Sequence, residues 1–383
     1  MRYRVGLLAF FFVAGSLVFG CGGGSSTENT TSSQQTAATP AIKTVAAQNG
    51  ASIVSLSDLT TGATIYYTLD GSTPSTSSQI YQAPFLIASN ITVNAIAAAS
   101  GYSNSSVATQ AFTPNIASGT LVWSDEFTNS GSTAAQPNAS TWTYDTGTDC
   151  CGNNELETYC AWNSSANSCN PSNPNAFLGS DGYLHIAALN PSANVYTSAR
   201  LKSQGLFSFM YGRIEARMQL PESQGMWPAF WLLGNNIATI NWPACGEADI
   251  MEHIDGNNPP FSVGNAPPGY DWIAGSVHGG TSSTAEVNGG QEYHPNGFSA
   301  AAWHTYGMIW TKGQIQYYVD DPANIYATYN TSNGTFNGTW PFDQGPMFII
   351  LNLAVGGDWP GSPDSTTVFP SNMLVDYVRI YTN

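Results

Sequence analysis

Basic residues are scarce in this sequence. Lysine and arginine together number nine against 25 aspartates and glutamates, which gives a formal net charge of −16 at pH 7. No basic residue lies between Lys43 and Arg200. A nucleic-acid-binding protein needs a basic footprint, and attraction to anionic lipid needs a polybasic segment. Both partner classes are therefore excluded, and the abundance of hydroxyl and amide side chains indicates a neutral polar partner.

The sequence also lacks an apolar run long enough for a stable membrane span. Its most apolar stretch, residues 6–20, follows Arg2 and Arg4 and ends at Cys21. This pattern resembles a bacterial lipoprotein signal, in which the cysteine becomes the lipidated first residue. We expect residues 1–20 to be removed, residues 21–40 to form a Gly/Ser/Thr-rich tether, and the lipid on Cys21 to be the only membrane contact. The exported product would be an outer-membrane or cell-surface lipoprotein; an ordinary signal peptide and a secreted protein are the alternative.

Cysteine is rare as well, with six residues in the chain. Apart from Cys21 they are Cys150, Cys151, Cys160, Cys169 and Cys245. Export favours disulfides, so we expect a stapled loop over residues 150–169 and at least one unpaired cysteine. Zinc binding is the other interpretation of such a cluster, but the spacing matches no zinc pattern. The pairing stays open.

No long amphipathic helix pattern occurs, whereas short alternating runs bounded by Gly, Pro, Asn and Ser recur throughout. The sequence therefore predicts an all-β protein. Within residues 41–113, ATIYYTLDGSTP enters a DG turn and ITVNAIAAASGYSNSSVATQAF supplies two further strands. We expect a small β-sandwich module that resembles the chitobiase C-terminal type. A spacer role is favoured, and sugar stacking on Tyr66, Tyr67 and Tyr81 is the alternative.

Residues 119–383 predict a second, larger all-β domain, within which residues 246–254 read GEADIMEHI. Glu247 and Asp249 share one face of a strand because side chains alternate. Regular alternation would place Met251 on that face and turn Glu252 away, but a β-bulge near Met251 would bring Glu252 to the same face. The sequence leaves both arrangements open.

Three converging carboxylates suit glycoside hydrolysis. A retaining glycosidase uses one ionised carboxylate as nucleophile and one protonated carboxyl as general acid, roughly 5–5.5 Å apart. A neighbouring negative charge raises the pKa of the acid and keeps it protonated near neutral pH. Aromatic platforms for sugar rings are available just upstream, in GMWPAFWLLG at residues 225–234.

The second domain resembles glycoside hydrolase family 16, on its laminarinase-like, bulged-strand branch. The resemblance rests on LVWSDEF (121–127), GNNELETY (152–159), YGRIEARMQLP (211–221), GMWPAFWLLG (225–234), WPACGEADIMEHI (242–254), VHGG (277–280), NLAVGGDWPG (352–361) and FPSNMLVDYVRIY (369–381). It implies a concanavalin A-like jelly-roll sandwich with sugar bound in a concave cleft. It also implies that Glu247 is the nucleophile, Asp249 the assisting acid and Glu252 the general acid/base.

Five further residues are candidate substrate contacts. The resemblance implies a role for His278 in hydrogen bonding to the sugar or to the acid/base. Trp227 and Trp231 share a strand face, and we expect both in the cleft, with a shared core position as the alternative. Asn154 and Glu157 are candidate contacts at the cleft rim.

Other charged residues have structural interpretations. Arg213 and Arg217 share a strand face, and each is expected to pair with a carboxylate. His253 is expected on the face opposite Glu252, in a structural role. No cofactor is expected for catalysis. Asp376, with backbone carbonyls near Glu126 and Gly182, lies where the family often holds a structural calcium ion; a salt-bridged Asp376 is the alternative.

The sequence thus predicts a monomeric, exported endo-β-1,3-glucanase acting on laminarin-like glucan, with mixed-linkage β-1,3-1,4-glucan as second choice. The alternatives are a non-catalytic β-glucan-binding protein on the same fold, a transglycosylase, and a galactan hydrolase of the same family. The presence of both Glu247 and Glu252 favours an enzyme over a binding protein.

Overall fold

Nearly all regular structure in the protein is β-strand, which confirms the predicted class. A computed structural model describes residues 34–148, 152–254, 271–332, 336 and 338–383. In these ranges the helical segments are a 3-10 turn at Gln48–Gly50 and the four-residue helix α1 at Ile237–Ile240. No helix among the described residues is long and apolar enough to cross a membrane. The predicted signal, tether and Cys21 lie in residues 1–33, outside the described residues.

Nine strands precede the larger domain. They are β1 (Gln35–Thr36), β2 (Ala41–Ala46), β3 (Ser52–Ser57), β4 (Thr64–Thr68), β5 (Gln79–Ile80), β6 (Phe85–Ile87), β7 (Ile91–Ala98), β8 (Tyr102–Ser103) and β9 (Ala108–Phe112). Strands β5-β4-β7-β9 form one sheet, which faces β2-β3-β6 across a small core that includes Val54, Phe85 and Val93. Tyr67 is 4% exposed in this core, so the stacking surface suggested for it is wrong. Tyr66 and Tyr81 are half-buried.

The remaining strands form the larger domain. They are β10 (Leu121–Asp125), β11 (Thr143–Asp145), β12 (Gly147–Thr148), β13 (Glu157–Tyr159), β14 (Ala176–Leu178), β15 (Leu184–Ser192), β16 (Val195–Ser198), β17 (Arg200–Lys202), β18 (Ser208–Phe209), β19 (Gly212–Gln219), β20 (Met226–Gly234), β21 (Glu247–Glu252), β22 (Ile273–Gly280), β23 (Glu286–Tyr293), β24 (His304–Thr311), β25 (Gln314–Val319), β26 (Ile325–Asn330), β27 (Met347–Val355) and β28 (Ser371–Tyr381).

These strands build two stacked sheets, as a jelly-roll sandwich requires. The outer sheet runs β12-β13-β16-β15-β28-β19-β24-β25-β26, with β10 and β14 paired at its side. The inner sheet runs β18-β27-β20-β21-β22-β23 and includes β11 and β17. Alternate residues point into the core between them, such as Ile214 and Met308 from the outer sheet and Leu232 and Leu351 from the inner sheet. The opposite face of the inner sheet is left available for a site.

The small module docks directly on the larger domain. Its strand β6 pairs in parallel with β18, so that Phe85 lies opposite Ser208, and β2-β3-β6 extend the inner sheet. The side-chain amide of Asn49 donates a 2.7 Å hydrogen bond to the carbonyl of Leu121, and Leu86 joins the core of the larger domain. The two units are therefore connected by strand pairing and by shared core packing as well as by the chain.

Candidate active site

A β-bulge in β21 brings the three acids together. Across β20, Trp231 faces Asp249 and Phe230 faces Met251, so Ile250 has no partner. Ile250 and Met251 are consecutive yet both pack in the core, at 1% and 0% exposure. Two successive core positions shift the alternation by one residue and turn Glu252 to the side of Glu247 and Asp249. The bulged arrangement is confirmed, and regular alternation is excluded.

All three acids line one cavity of about 500 Å³ on the free face of the inner sheet. Its other walls are Gly152, Asn153, Glu155, Arg200, Trp227, Ala229, Trp231, Leu233, Ile237, Trp242 and Asn352. Trp227, Ala229, Trp231 and Leu233 alternate along β20 and therefore share that face. The volume is in the range typical of ligand pockets, and aromatic walls with a few convergent polar groups suit a sugar.

Asp249 is the most buried of the three clustered acids, at 4% exposure, and lies between the two glutamates in sequence. The Ser276 hydroxyl donates a 2.5 Å hydrogen bond to its Oδ2, and His278 Nε2 lies 3.2 Å from the same oxygen. Burial of a carboxylate is costly unless it is paired. These two partners compensate the buried Asp249 carboxylate.

The pKa values of Glu247 and Glu252 are both raised, to about 8, chiefly by burial and then by the charge of Asp249. Their partners differ. Near Glu247 are the cations His278, whose Nε2 is 3.9 Å from Oε1, and Arg200. Glu252 Oε1 accepts a 3.0 Å hydrogen bond from the indole N–H of Trp227. Both carboxyls are therefore harder to ionise than an ordinary glutamate.

His278 is held between carboxylates. Its pKa is raised to about 10 because Asp249, Glu247 and Glu286 outweigh the opposing effect of burial. The ring is therefore a cation at neutral pH, with both nitrogens as donors. It supplies positive charge on the side of Asp249 and Glu247. Trp242 also packs near the ring, with centroids 6.1 Å apart.

Trp227 and Trp231 are both fixed by hydrogen bonds. The indole of Trp231 donates a 2.7 Å bond to Asn352 Oδ1, and the Arg200 guanidinium lies 4.6 Å from its ring centroid. Arg200 is in turn paired with Asp145, at 3.1 Å. Trp227 packs edge to face on Trp359, with centroids 5.2 Å apart. Both tryptophans line the cavity, and their contact with sugar stays a prediction.

Of the two predicted rim residues, Asn154 lies between residues that line the cavity, so its sugar contact stays a prediction, and Glu157 is buried. Asn154 has φ 56°, a left-handed turn conformation that asparagine tolerates, and its amide donates to Asp358 at 2.9 Å. Its neighbours Asn153 and Glu155 line the cavity instead. Glu157 is 2% exposed and accepts a 2.7 Å bond from the Val355 amide, so its assignment to the rim is wrong.

Burial raises the pKa of Glu157 to about 7. Glu157 connects the start of β13 to the end of β27 through its bond with the Val355 amide, which is a structural role. The sequence signal missed here is the turn at Gly152 and Asn154, both with positive φ. That turn shifts which residues of GNNELE point at the cavity.

Ser276, Glu286, Trp242, Arg200 and Asn352 were not identified from the sequence. Ser276 could have been found, because alternation places it on the face of His278. Glu286 lies on the next strand, and only the register of β22 with β23, in which His278 faces Asn288, brings it to the ring. Arg200 and Asn352 come from strands distant in sequence.

The structural interpretations of the other charged residues agree with the contacts. Arg213 pairs with Glu215, and Arg217 Nη1 donates to Asp376 Oδ2 at 2.7 Å. Both arginines lie on β19 of the outer sheet. His253 is 2% exposed and its Nδ1 lies 2.7 Å from the carbonyl of Trp272.

The candidate calcium residues converge, but their carboxylates are occupied. Along β28, Asp125 lies opposite Val378 and Leu184 opposite Val375, which brings Glu126 and Gly182 toward Asp376. Asp376 is paired with Arg217, and Glu126 accepts two bonds from Arg379, at 3.0 and 2.8 Å. Asp376 is the one carboxylate of the predicted ligand set, and the Arg217 guanidinium pairs with it. The ion-pair alternative is favoured for Asp376, and calcium binding stays a prediction.

One disulfide is present among the described residues, between Cys160 and Cys169. It agrees with the predicted stapled loop, of which Cys150 and Cys151 lie outside the described residues. Cys245 is free and buried.

Residues 163–378 match the family described as Glycosyl hydrolases family 16, and residues 54–112 match the family described as Fn3 associated. The second description differs from the chitobiase C-terminal type that the sequence resemblance implied.

The chain is 35% identical over 270 residues to the Beta-glucanase of Rhodothermus marinus, which covers 68% of this chain and 84% of that protein. It is 34% identical over 265 residues to the Clotting factor G alpha subunit of Tachypleus tridentatus, and spans about a third of that longer protein, 34%. Its structure is similar to the laminarinase catalytic domain from Thermotoga maritima, with a TM-score of 0.56 and 34% identity, over 70% of this chain and 99% of that one.

Proposed function

Since the chain belongs to glycosyl hydrolases family 16, we propose that it is an endo-β-glucanase that hydrolyses β-1,3-glucosidic linkages with retention of configuration. The observation that carries the proposal is the bulge in β21, which turns Glu247, Asp249 and Glu252 toward one aromatic-walled cavity. Two glutamates with a fixed aspartate between them supply a nucleophile and an acid.

The reaction runs in two displacements. A carboxylate oxygen of Glu247 attacks the anomeric carbon while Glu252 protonates the departing glycosidic oxygen, so the C–O bond breaks and a glycosyl–Glu247 ester forms. Water then attacks the anomeric carbon, Glu252 accepts its proton, and Glu247 leaves as carboxylate. Two inversions give net retention.

The partners of the two glutamates support these roles. His278 and Arg200 stabilise negative charge on Glu247, which favours its ionised, nucleophilic form. Glu252 has a pKa that burial and the charge of Asp249 raise to about 8, which suits the general acid. Asp249 is held by Ser276 and His278, and its charge raises the pKa of both glutamates.

The substrate is a neutral β-glucan, with laminarin-like β-1,3-glucan first and mixed β-1,3-1,4-glucan second. Indole platforms at Trp227 and Trp231 suit pyranose faces, and the acidic chain disfavours a sulfated polymer. The names of the relatives support this class, since they include a beta-glucanase and a laminarinase. A purely binding protein is not favoured, because both glutamates are present and aimed at the cavity.

The setting of the enzyme is proposed from sequence. The basic start, apolar run and Cys21 support export with a lipid anchor, and monomeric action is expected. The small module is a spacer, since Tyr67, one of its three candidate stacking residues, is buried in the core of the module.

Product analysis tests the proposal. Wild type is incubated with laminarin, lichenan, agarose and carrageenan, and the products are sized, with Glu247→Gln as the matched inactive control. We expect oligosaccharides of several lengths from laminarin, fewer from lichenan, and none from the galactans. Release from agarose alone, or from no polymer, would overturn the substrate assignment.

A further inference from the structure

His278 bridges carboxylates from two neighbouring strands. Its Nδ1 lies 2.6 Å from Glu286 Oε1 on β23, and its Nε2 faces Asp249 Oδ2 at 3.2 Å and Glu247 Oε1 at 3.9 Å on β21. An imidazole with one nitrogen committed to a carboxylate has a fixed ring plane and a fixed direction for the other nitrogen. The contact with Glu286 is thus the one that aims Nε2 at the acids.

Glu286 is itself held in place. The side-chain amide of Asn288 donates a 3.1 Å hydrogen bond to the same Oε1 that meets His278. Glu286 and Asn288 are two residues apart on β23, and Asn288 lies directly opposite His278. Both therefore project from the sheet on the His278 side. The side chains of Glu286 and His278 are 23% and 22% exposed, so the two partners are buried to the same extent.

We propose that Glu286 is a positioning residue for the hydrolysis: it holds His278 as a cation whose Nε2–H faces Asp249 and Glu247. This inference rests on the proposed glucanase function. The charged groups that face His278 among the described residues are Glu247 and Asp249 from β21 and Glu286 from β23, and Ser276 adds a hydroxyl from its own strand. Two of these carboxylates belong to the reaction, so Glu286 is the one that can stabilise the cation without taking part.

The consequence for catalysis follows from charge. A cationic His278 stabilises the ionised form of Glu247, which the nucleophile requires. Removal of the Glu286 charge lowers the pKa of His278 and leaves the ring free to turn, and on the acidic limb it is the turned ring that no longer directs its Nε2–H at Glu247. Glu247 then holds its proton to higher pH, and the acidic limb of the pH–rate profile moves upward.

The test compares Glu286→Gln with wild type in the full chain, on laminarin, between pH 4 and pH 9. Glutamine keeps an acceptor oxygen and removes the charge. We expect the acidic limb of the kcat/KM profile to shift to higher pH by about one unit. At pH values below this limb, kcat should fall about 10-fold. KM should change little, because Glu286 does not line the cavity. Glu286→Asp, which keeps the charge on a shorter side chain, should give a smaller shift.

Asp320→Asn is the matched control. Asp320 pairs with His304 Nδ1 at 2.9 Å in the same chemical arrangement, but on strands of the outer sheet. We expect its profile to match that of wild type. An equal shift in this control, or a loss of rate in Glu286→Gln that is the same at every pH, would indicate a structural effect and overturn the inference.

A second readout does not depend on activity. The ¹⁵N NMR shifts of the His278 ring report whether both nitrogens are protonated. Wild type should keep both protons at pH 8, and Glu286→Gln should lose one at lower pH than wild type. Unchanged ring titration contradicts the inference even if activity falls. A wild type inactive on every β-glucan contradicts the proposed function, while the NMR comparison still tests the link between Glu286 and His278.

Discussion

Glu247 and Glu252 are the same residue type on one strand, and their surroundings differ. The charge of His278 acts on both carboxyls, whereas Arg200 acts on Glu247 and the indole N–H of Trp227 is donated to Glu252. Burial and the charge of Asp249 raise both pKa values alike, to about 8. Burial and Asp249 therefore act alike on the two carboxyls, and Arg200 is the cation that distinguishes Glu247. The difference teaches that role assignment in a carboxylate cluster depends on the positions of cations more than on depth.

Replacement of each glutamate gives the largest expected effect. Glu247→Gln should lower kcat on laminarin by about 10⁴-fold or more, because the nucleophile is lost. Glu252→Gln should lower it by about 10²–10⁴-fold, as expected for loss of a general acid. Initial-rate assays with reducing-end detection measure both.

Azide separates the two roles. In Glu252→Ala, azide can replace water in the second displacement and give a β-glycosyl azide. In Glu247→Ala, azide can replace the missing carboxylate and give an α-glycosyl azide. If Glu252→Ala gave the α-azide and Glu247→Ala the β-azide, Glu252 would be the nucleophile and Glu247 the acid/base.

Removal of the cation gives the next largest effect. In His278→Gln, Glu247 and Asp249 lose their nearest positive charge, so the pKa of Glu247 rises. The nucleophile must be deprotonated, and the acidic limb of kcat/KM should therefore move to higher pH, with a loss of kcat of about 10–100-fold. A pH profile measured on laminarin checks this. An unmoved acidic limb would show that Glu247 does not depend on the cation.

The Glu252→Gln substitution, which lowers activity, is expected to raise thermal stability by a smaller amount. A buried carboxyl whose folded pKa is raised from 4.5 to about 8 loses stability as pH rises through that window, because the unfolded chain releases the proton first. Glutamine does not titrate, so Glu252→Gln should raise Tm relative to wild type by a few degrees at pH 8 and by less at pH 5.

Glu247→Gln should gain less stability than Glu252→Gln, since Arg200 stabilises the Glu247 charge in addition to His278, which acts on both. Calorimetry at the two pH values compares them. Equal gains at pH 8 would mean that the two environments are energetically alike.

Metal removal is expected to have the smallest effect. Glu247, Asp249 and His278 have ligand atoms within 4.8 Å of one another. A cation bound there would add positive charge beside Glu247 and change the difference between the surroundings of the two glutamates. We expect EDTA to leave activity unchanged and, since Arg217 holds Asp376, to lower Tm by less than about 2 °C. A larger fall in Tm that calcium reverses would show that the ion binds near Asp376.

Much of the site follows from sequence. Alternation places Glu247 and Asp249 together, and the E-x-D-x-x-E spacing in its family setting identifies Glu252. The bulge itself is not encoded in alternation, because Ile250 and Met251 are both apolar and either could face the core. It depends on the register with β20 and β22, which long-range pairing determines.

The site residues that the sequence misplaced or missed are likewise positioned by turns and by pairing between distant strands. Glu157 was misplaced because a turn with positive φ at Gly152 and Asn154 changes which side chains of that segment point inward. Glu286 and Arg200 reach the cluster through strand neighbours that are distant in sequence. The parallel pairing of β6 with β18, which fixes the small module, joins segments more than a hundred residues apart and has no local signature.

Trapping of the covalent intermediate tests the central claim most directly. Wild type is incubated with a 2-deoxy-2-fluoro laminaribiosyl fluoride, digested, and mapped by tandem mass spectrometry. The account predicts one glycosyl adduct, on Glu247 and absent from Glu247→Gln, with β-configured initial product from natural substrate by ¹H NMR. A label on Glu252 or Asp249, or an α-configured first product, would contradict it.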